Sequence, residues 1–238
     1  KYTLPLKSIS EAIALRNRIL EDFERALLET DQTIRKSYLD LVIVGAGPTG
    51  VELAGAMAEL KKHILPKDYP ELNLNEMDIH LSQSGPKVLD AMSDKSSQRS
   101  LQDLESLGIN IHLNVRVNDI QGDKVFLSNG EILYSQKVIW AAGITAASLP
   151  GLNPLSYHKS NRLITDDYLQ VKHHQHIFAI GDLNFMESVN GHPQVAQVAM
   201  QQAKLVANNL LADGKGTNQK KFNYHDKGTM ATIGRHKA

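Results

Sequence analysis

A glycine-rich turn at residues 44–55, which reads VGAGPTGVELAG, constrains the fold of this chain more than any other stretch. Its three glycines, Gly45, Gly47 and Gly50, follow a short apolar run at 41–44 and open a stretch rich in alanine and leucine. In this G-x-G-x-x-G spacing the first glycine allows a tight turn, the second lets the backbone approach a phosphate, and the third allows close helix–strand contact. The pattern predicts a strand, a turn and a helix that together bind a dinucleotide pyrophosphate.

The residues that follow continue this alternation of strands and helices. The predicted elements are a strand at 78–84, a helix at 97–108, a half-buried strand at 109–117, a hairpin at 124–134 and a strand at 137–143. Residues 65–77 are polar, contain two prolines and predict a loop. Alternating strands and helices favour a parallel sheet, and the hairpin favours an antiparallel meander inserted into it. We therefore expect an α/β fold whose Rossmann-like NAD(P)H-binding domain spans residues 38–145.

Two further segments flank this predicted domain. Ser8 and Glu11 form a capping-box pattern ahead of apolar residues at helical spacing, so residues 1–37 are predicted as a helical segment. Residues 146–238 are predicted as a second unit. The elements predicted in it are a buried strand at 176–182, a long helix at 193–212 and an extended segment at 222–234.

Composition excludes several classes of function. Lys and Arg total 26 of the 238 residues, and Asp and Glu also total 26, so no net charge favours nucleic acid as a partner. The chain has no cysteine, which excludes disulfide scaffolds, thiolate metal sites and thiol–disulfide catalysis. No apolar run approaches the length of about 20 residues that crosses a bilayer.

The second predicted strand ends in glutamine where a dinucleotide site usually has an acidic residue. An Asp or Glu at this position binds the adenosine ribose hydroxyls and repels a 2′-phosphate. Gln83 can still hydrogen-bond a hydroxyl, but it carries no charge. The sequence therefore predicts use of NADH with weak discrimination against NADPH, and the nearby Lys87 could assist a phosphate. The alternative is that Gln83 only occupies an exposed strand end.

Two other features have competing interpretations. Glu52 lies in the first turn of the glycine-loop helix, where a carboxylate stabilises a helix N-terminus, or it lies near the reactive end of a cofactor. The histidine-rich stretch KHHQH at 172–176 lacks patterned carboxylates, so a solvated loop is favoured and no metal site is predicted. No nucleophile elbow, Walker loop or zinc-protease motif is present.

Several stretches together resemble one family, the type II NADH dehydrogenases, which are single-subunit NADH:quinone oxidoreductases of the two-dinucleotide-binding flavoprotein superfamily. The pattern AQ-x-x-x-Q at 196–201 is the most specific of them. The matching stretches are LPLKSISEAIALRNRILEDFERA (4–26), VGAGPTGVELAG (44–55), VIWAAGI (138–144), IFAIGD (177–182), PQVAQVAMQQAKLVANNL (193–210) and FNYHDKGTMATIGRHKA (222–238).

The resemblance implies roles for individual residues. The implied NADH site comprises Gly45, Gly47, Pro48, Thr49, Gly50 and Gln83, where the family usually has Glu in place of Gln83. The implied flavin contacts are Gly181 and Asp182, and the implied small-residue crossover beside the cofactors is Ala142 and Gly143. The implied catalytic residues are Glu52 at the nicotinamide–flavin junction and, with Met200 between them, Gln197 and Gln201 beside the quinone.

The implied activity is hydride transfer from NADH to FAD, followed by transfer of two electrons to a quinone. The implied location is the cytoplasmic face of a membrane, bound peripherally, and the resemblance leaves a homodimer open. Residues 146–238 would be the C-terminal part of an FAD-binding Rossmann-like domain.

The chain departs from the family at its ends. Residues 1–40 contain no glycine, so the family's FAD glycine loop is absent, as is its C-terminal membrane-docking segment. We therefore expect a soluble fragment that is inactive alone. Two alternatives stay open: a soluble NAD(P)H-dependent flavoprotein reductase of a small electron carrier, and a dinucleotide-binding sensor domain without turnover.

Overall fold

The structure is a computed structural model that describes residues 3–235 and Lys237. The chain forms two compact units. The first unit consists of Lys1–Gly143 with Thr229–Ala238, and the second unit consists of Ile144–Gly228. The functional division into residues 1–37, 38–145 and 146–238 stays a prediction.

The first unit contains most of the regular secondary structure. Its elements in chain order are β1 (Thr3–Pro5), α1 (Ile9–Leu28), α2 (Gln32–Leu39), β2 (Leu41–Val44), α3 (Pro48–His63), α4 (Leu65–Asp68), β3 (Ile79–Gln83), α5 (Asp94–Ser106), β4 (Ile109–Leu113), β5 (Val117–Gln121), β6 (Lys124–Leu127), β7 (Ile132–Tyr134) and β8 (Lys137–Trp140).

A five-stranded parallel sheet organises this unit. Its strand order is β1-β8-β2-β3-β4, so the strand that leads into the glycine loop lies at the centre. The helices α3 and α5 connect successive parallel strands, as a βαβ arrangement requires. The carboxyl ends of β2, β3 and β8 therefore meet at one edge, where α/β sheets bind their ligands. This architecture confirms the predicted Rossmann-like α/β fold.

Side chains of the central strand alternate between two hydrophobic cores. Leu41 and Ile43 pack in the large core with the apolar faces of α1, α3 and α5. Val42 and Val44 face the opposite side of the sheet and pack in a smaller core with the meander. Since all four side chains are buried, the continuous apolar run at 41–44 reflects a strand covered on both faces.

The meander is a three-stranded antiparallel sheet in the order β5-β6-β7. Gly130 has φ +88° at the turn between β6 and β7, so the predicted hairpin is confirmed. The single strand predicted at 109–117 is wrong. β4 ends at Leu113 because Asn114 adopts a left-handed conformation with φ +57°, and β5 begins only at Val117.

Four short elements of the first unit were missed by the sequence patterns. The helix α2 begins after Asp31, whose carboxylate accepts hydrogen bonds from the backbone N–H groups of Thr33 and Ile34. The strand β1 is an edge strand of three residues that pairs with β8 at one side of the sheet. The segment predicted as a loop at 65–77 contains α4 and a 3₁₀ turn at Leu74–Glu76.

The second unit contains β9 (Leu163–Thr165), β10 (Asn184–Met186) and α6 (Ala196–Asp213), with β9 and β10 paired in parallel. The long helix is confirmed, and Gly214 caps its C-terminus. Short 3₁₀ turns make up the remaining regular structure: Pro154–Ser156, Lys159–Asn161, Gly181–Leu183 and Glu187–Val189.

The buried strand predicted at 176–182 is wrong. Left-handed backbone at His176 (φ +61°) and at Gly181 (φ +64°) bounds an extended stretch of only four residues. Within it, Phe178 forms a single bridge to Gln170. Ala179 is the one buried residue of this stretch, whereas Ile177 and Ile180 are more than one-third exposed.

Among the described residues, no helix combines the length and the apolar composition that crossing a membrane requires.

Lys137, the first residue of β8, has a fully buried side chain. The Lys137 ammonium donates to the carbonyl oxygen of Tyr38, lies 3.5 Å from the Asp22 carboxylate and lies 5.6 Å from the centre of the Phe23 ring. Asp22 is also fully buried and accepts a hydrogen bond from Arg18 at 3.0 Å. Burial lowers the pKa of Lys137 to about 8, although the charge of Asp22 opposes this shift.

The lowered pKa of Lys137 predicts a pH-dependent stability. Between about pH 8 and the unfolded pKa of about 10.4, the unfolded chain keeps a proton that the folded chain has released. The free energy of unfolding of the wild-type protein should therefore rise with pH through this window. The Lys137→Met variant should not show that rise. Urea unfolding of both proteins across the window measures the difference. Parallel pH profiles for the two proteins would contradict it.

Candidate functional site

The glycine loop begins with a sharply turned residue at the end of β2. Gly45 has φ +103°, a conformation that strains any residue with a Cβ atom. Its N–H donates to the carbonyl oxygen of Ser82 on the adjacent strand β3 at 2.7 Å. A Cβ on Gly45 would lie 2.8 Å from the backbone of Ala142, so Gly45 must remain glycine and residue 142 must be small.

The other two glycines have opposite surroundings. A Cβ on Gly50 would lie 1.8 Å from the carbonyl oxygen of Gly45, since the helix packs directly on the loop. A Cβ on Gly47 would meet no atom within 4 Å, because this residue faces open space. Gly50 therefore serves packing within the protein, and Gly47 leaves room for an external group.

The first turn of α3 is open to an anion. Gly47 is the N-cap, and no side chain accepts a hydrogen bond from the first N–H groups of the helix. Pro48 and Thr49 are exposed at this end. Free N–H groups and the positive end of the helix dipole bind phosphate groups. The structure thus fits the predicted pyrophosphate position, although the roles of these residues stay predictions.

Gln83 at the end of β3 contacts the glycine loop. Its side-chain oxygen accepts a hydrogen bond from the N–H of Ala46 at 3.1 Å, so the amide NH₂ group is left to act as a donor. The loop and this strand end border a cavity of about 190 Å³. The lining residues are Val44, Gly45, Ser82, Gln83, Ser84, Val115, Arg116, Val117, Trp140 and Ala142.

The predicted crossover residues follow β8. The N–H of Ala141 donates to the carbonyl oxygen of Val44 at 2.9 Å, which brings Ala142 against Gly45. Gly143 has φ +78° and is exposed, so the chain turns away from the sheet immediately after the contact.

Glu52 faces the C-terminal segment of the first unit. Its carboxylate accepts a hydrogen bond from the N–H of Thr232 at 3.3 Å. The two residues line a cavity of about 290 Å³ together with Glu59, Gly234 and Arg235. The Glu59 carboxylate lies 3.8 Å from the guanidinium of Arg235. Glu52 therefore contacts Thr232 of the C-terminal segment, and a role beside the nicotinamide stays a prediction.

In the second unit, a buried amide network holds the turn at Gly181 and Asp182. The N–H of Gly181 donates to the side-chain oxygen of Gln202 at 2.6 Å. The Gln202 amide nitrogen donates to Asn184 at 3.1 Å, and Asn184 donates to the hydroxyl of Thr165 at 2.7 Å. Gln202 is fully buried, so this network fixes the direction of the turn from α6.

Gln202 is a positioning residue that sequence reasoning missed. Helical spacing could have found it, because Gln202 lies four residues after the buried Val198 and seven before the buried Asn209 on one face of α6. Asp182 itself has an exposed side chain, and its carbonyl oxygen accepts from Gln194 at 3.0 Å. The carboxylate of Asp182 is therefore accessible to a ligand.

The two predicted quinone-site glutamines form hydrogen bonds with the backbone of residues 225–228. The Gln197 oxygen accepts from the N–H of Lys227 at 3.1 Å, and its nitrogen donates to the carbonyl of Gly228 at 3.0 Å. Gln201 makes the same pair of bonds to the N–H and carbonyl groups of His225, at 3.0 and 2.9 Å. Both amides thus secure residues 225–228 to α6, while Met200 is 72% exposed.

These contacts predict selective changes in hydrogen exchange. Gln201→Met removes the acceptor for the His225 N–H, so exchange at His225 should become about five- to ten-fold faster, as expected for the loss of one hydrogen bond. Gln197→Met should accelerate Lys227 instead. Asn208→Ala, on the exposed face of α6, is the matched control. Equal acceleration at both amides in each variant would contradict independent contacts.

Comparison with known proteins agrees with this geometry. Residues 2–203 match the family model described as pyridine nucleotide-disulphide oxidoreductase. The chain is 35% identical over 244 residues to the type II NADH:quinone oxidoreductase Ndh of Mycobacterium tuberculosis, with 98% of this chain and 52% of that protein covered. It is 28% identical to the type II NADH:quinone oxidoreductase of Haemophilus influenzae, covering 96% and 54% of the two chains.

A solved structure has the same fold. The structure of NDH2 from Plasmodium falciparum in complex with NADH superposes with a TM-score of 0.87 at 19% identity, covering 99% of this chain and 64% of that chain. The chain spans about half the length of the curated relatives it matches. It belongs to the pyridine nucleotide-disulphide oxidoreductase family and, within that family, is a homologue of type II NADH:quinone oxidoreductases.

Proposed function

We propose that this chain supplies the NADH-binding part of a flavoprotein that transfers a hydride from NADH to FAD and then two electrons to a quinone. The observation that carries the proposal is the open space at Gly47, directly before the uncapped N-terminus of α3. The relatives named NADH:quinone oxidoreductases support the choice of reaction.

The residues of the first unit would bind and orient NADH. The N–H groups that open α3, near Thr49 and Gly50, would hold the pyrophosphate. The free NH₂ group of Gln83 would donate to a ribose hydroxyl. Ala142 and Gly143 would let the extended cofactor pass over the end of β8, since neither has a large side chain. Because these groups carry no charge, they would bind and align NADH, and the hydride transfer itself would be the chemistry of the cofactors.

The second unit would contribute to the flavin and quinone sides. When bound, FAD accepts the hydride and passes electrons singly or in pairs to an acceptor. The accessible carboxylate of Asp182 suits hydrogen bonds to flavin hydroxyl groups, and Gln202 keeps its turn in place. Gln197 and Gln201 would act on the quinone side through the segment 225–228 that they hold.

The proposed quinone acceptor also indicates where the full-length protein would work. Quinones of electron-transfer chains dissolve in the lipid phase, so the full-length protein would work at the cytoplasmic face of a membrane as a peripheral protein. A homodimer is compatible with this proposal. The neutral charge balance gives no reason to expect nucleic acid as a partner.

Absorbance spectroscopy of the full-length protein with FAD tests the proposal. Under anaerobic conditions, NADH should bleach the flavin band, and a quinone should restore it. A flavin that NADH never bleaches, although NADH binds, would overturn the proposal in favour of a sensor. A bleached flavin that a small electron carrier restores and a quinone does not would favour a carrier reductase.

A further inference from the structure

The cavity at the ends of β2 and β3 has a donor-rich character. Arg116 is the one charged residue among the ten described residues that line it, and no Asp or Glu is among them. The oxygen of Gln83 is already engaged by the N–H of Ala46, which leaves the NH₂ group as the free part of that side chain. A hydroxyl or an anion at this end of the cavity would therefore meet donors and a positive charge.

The backbone places Arg116 beside the end of β3. The N–H of Asn114 donates to the carbonyl of Gly85 at 2.9 Å, and the N–H of Val115 donates to the carbonyl of Gln83 at 3.0 Å. Ser128 then holds Arg116 by two hydrogen bonds. The Ser128 hydroxyl accepts from the N–H of Arg116 at 3.0 Å, and the Ser128 N–H donates to the carbonyl oxygen of Arg116 at 2.8 Å. The position of Arg116 next to Gln83 is thus fixed by four hydrogen bonds.

The guanidinium of Arg116 is free to bind a ligand. It is exposed and forms neither an ion pair nor a hydrogen bond with any residue of the described part of the chain. Lys87, the cation expected from the sequence to assist a phosphate, is already paired with carboxylates. Its ammonium binds the Asp94 carboxylate at 2.9 Å and lies 3.8 Å from Asp90, and Lys87 does not line the cavity.

We infer that Arg116 binds the 2′-phosphate on the adenosine ribose of NADPH, so that this site accepts NADPH as well as NADH. The inference rests on the proposed function, since it requires the glycine loop to bind a dinucleotide. A strand-end carboxylate would repel this phosphate, whereas Gln83 donates to it and Arg116 supplies a planar pair of donors. Discrimination between the two cofactors then depends on a residue that follows β4 rather than on the end of β3 alone.

Calorimetric titration with ADP-ribose and 2′-phospho-ADP-ribose tests the inference, because neither ligand carries nicotinamide or needs a flavin. Arg116→Gln should weaken the binding of 2′-phospho-ADP-ribose by about 10- to 100-fold, as expected for lost hydrogen bonds to a charged group. The affinity for ADP-ribose should stay within about two-fold of the wild-type value. Arg116→Lys should restore part of the loss. Gln83→Glu should weaken the phosphorylated ligand selectively through like-charge repulsion.

Lys87→Gln is the matched control, since it removes a neighbouring cation that is paired with Asp94. It should leave the ratio of the two affinities unchanged. The inference is overturned if Arg116→Gln weakens both ligands equally or neither, or if the wild-type protein binds ADP-ribose and rejects the phosphorylated form. Failure of the folded wild-type protein to bind either ligand would overturn the dinucleotide site itself, and the inference with it.

Discussion

Replacing Gly50 with alanine is expected to destabilise the first unit by about 3 kcal/mol or more, because the new methyl group cannot be accommodated without moving backbone. The Cβ atom would lie 1.8 Å from the carbonyl oxygen of Gly45, which is held between β2 and α3. No rotamer change relieves this contact, so α3 must shift from the sheet and lose packing at Val51 and Ala54. Urea unfolding measures the change in the free energy of unfolding.

Gly47→Ala is the matched control from the same loop. Gly47 has φ −73° and no atom within 4 Å of its added Cβ, so the free energy of unfolding should fall by less than about 1 kcal/mol. The two substitutions add the same methyl group three residues apart. Comparable losses of stability in both variants would contradict the packing assigned to Gly50.

Replacing Asp22 with leucine should cost about 3 kcal/mol or more, because it removes the partner of a buried charge. Lys137 would keep the carbonyl oxygen of Tyr38 as a hydrogen-bond acceptor and the face of the Phe23 ring as a cation–π contact. Loss of the Lys137 proton can limit this cost, since burial already lowers its pKa to about 8. Thermal and urea unfolding near neutral pH measure the destabilisation.

A double variant separates charge from packing at this position. Asp22→Leu combined with Lys137→Met removes both buried charges, so it should recover most of the stability that the single Asp22 variant loses. Arg18→Leu should cost less than Asp22→Leu, because Arg18 is partly exposed and the buried Asp22 keeps Lys137 as its partner. A double variant that is as unstable as the sum of the single variants would show that the pair is not coupled.

The shape of the glycine loop was predictable from the sequence because its geometry depends on neighbours in the chain. Gly45, Gly47 and Gly50 lie within six residues, and the direction of the turn follows from their spacing. Gln83 was predictable from the end of the next strand, although the sequence could not reveal its hydrogen bond to Ala46.

Other features depend on residues that are distant in sequence. Lys137 and Asp22 are separated by 115 positions, and no local pattern shows that two such charges are buried together. The predicted strand at 176–182 was wrong because an apolar sequence is also compatible with an extended loop. The left-handed backbone at His176 and Gly181 cannot be predicted from periodicity. Gln202 was overlooked beside Gln201 because adjacent residues of a helix differ in burial only once its packing is known.

Titration of the folded protein with NADH, in wild-type form and as Gly47→Ala, tests the central claim most directly. Calorimetry should show saturable binding at one site in the wild-type protein. Gly47→Ala should keep its circular dichroism and its stability but bind NADH at least about ten-fold more weakly, because the methyl group occupies the space for the pyrophosphate. Equal affinity in the two folded proteins, or no saturable binding by the wild-type protein, would contradict a dinucleotide site at this loop.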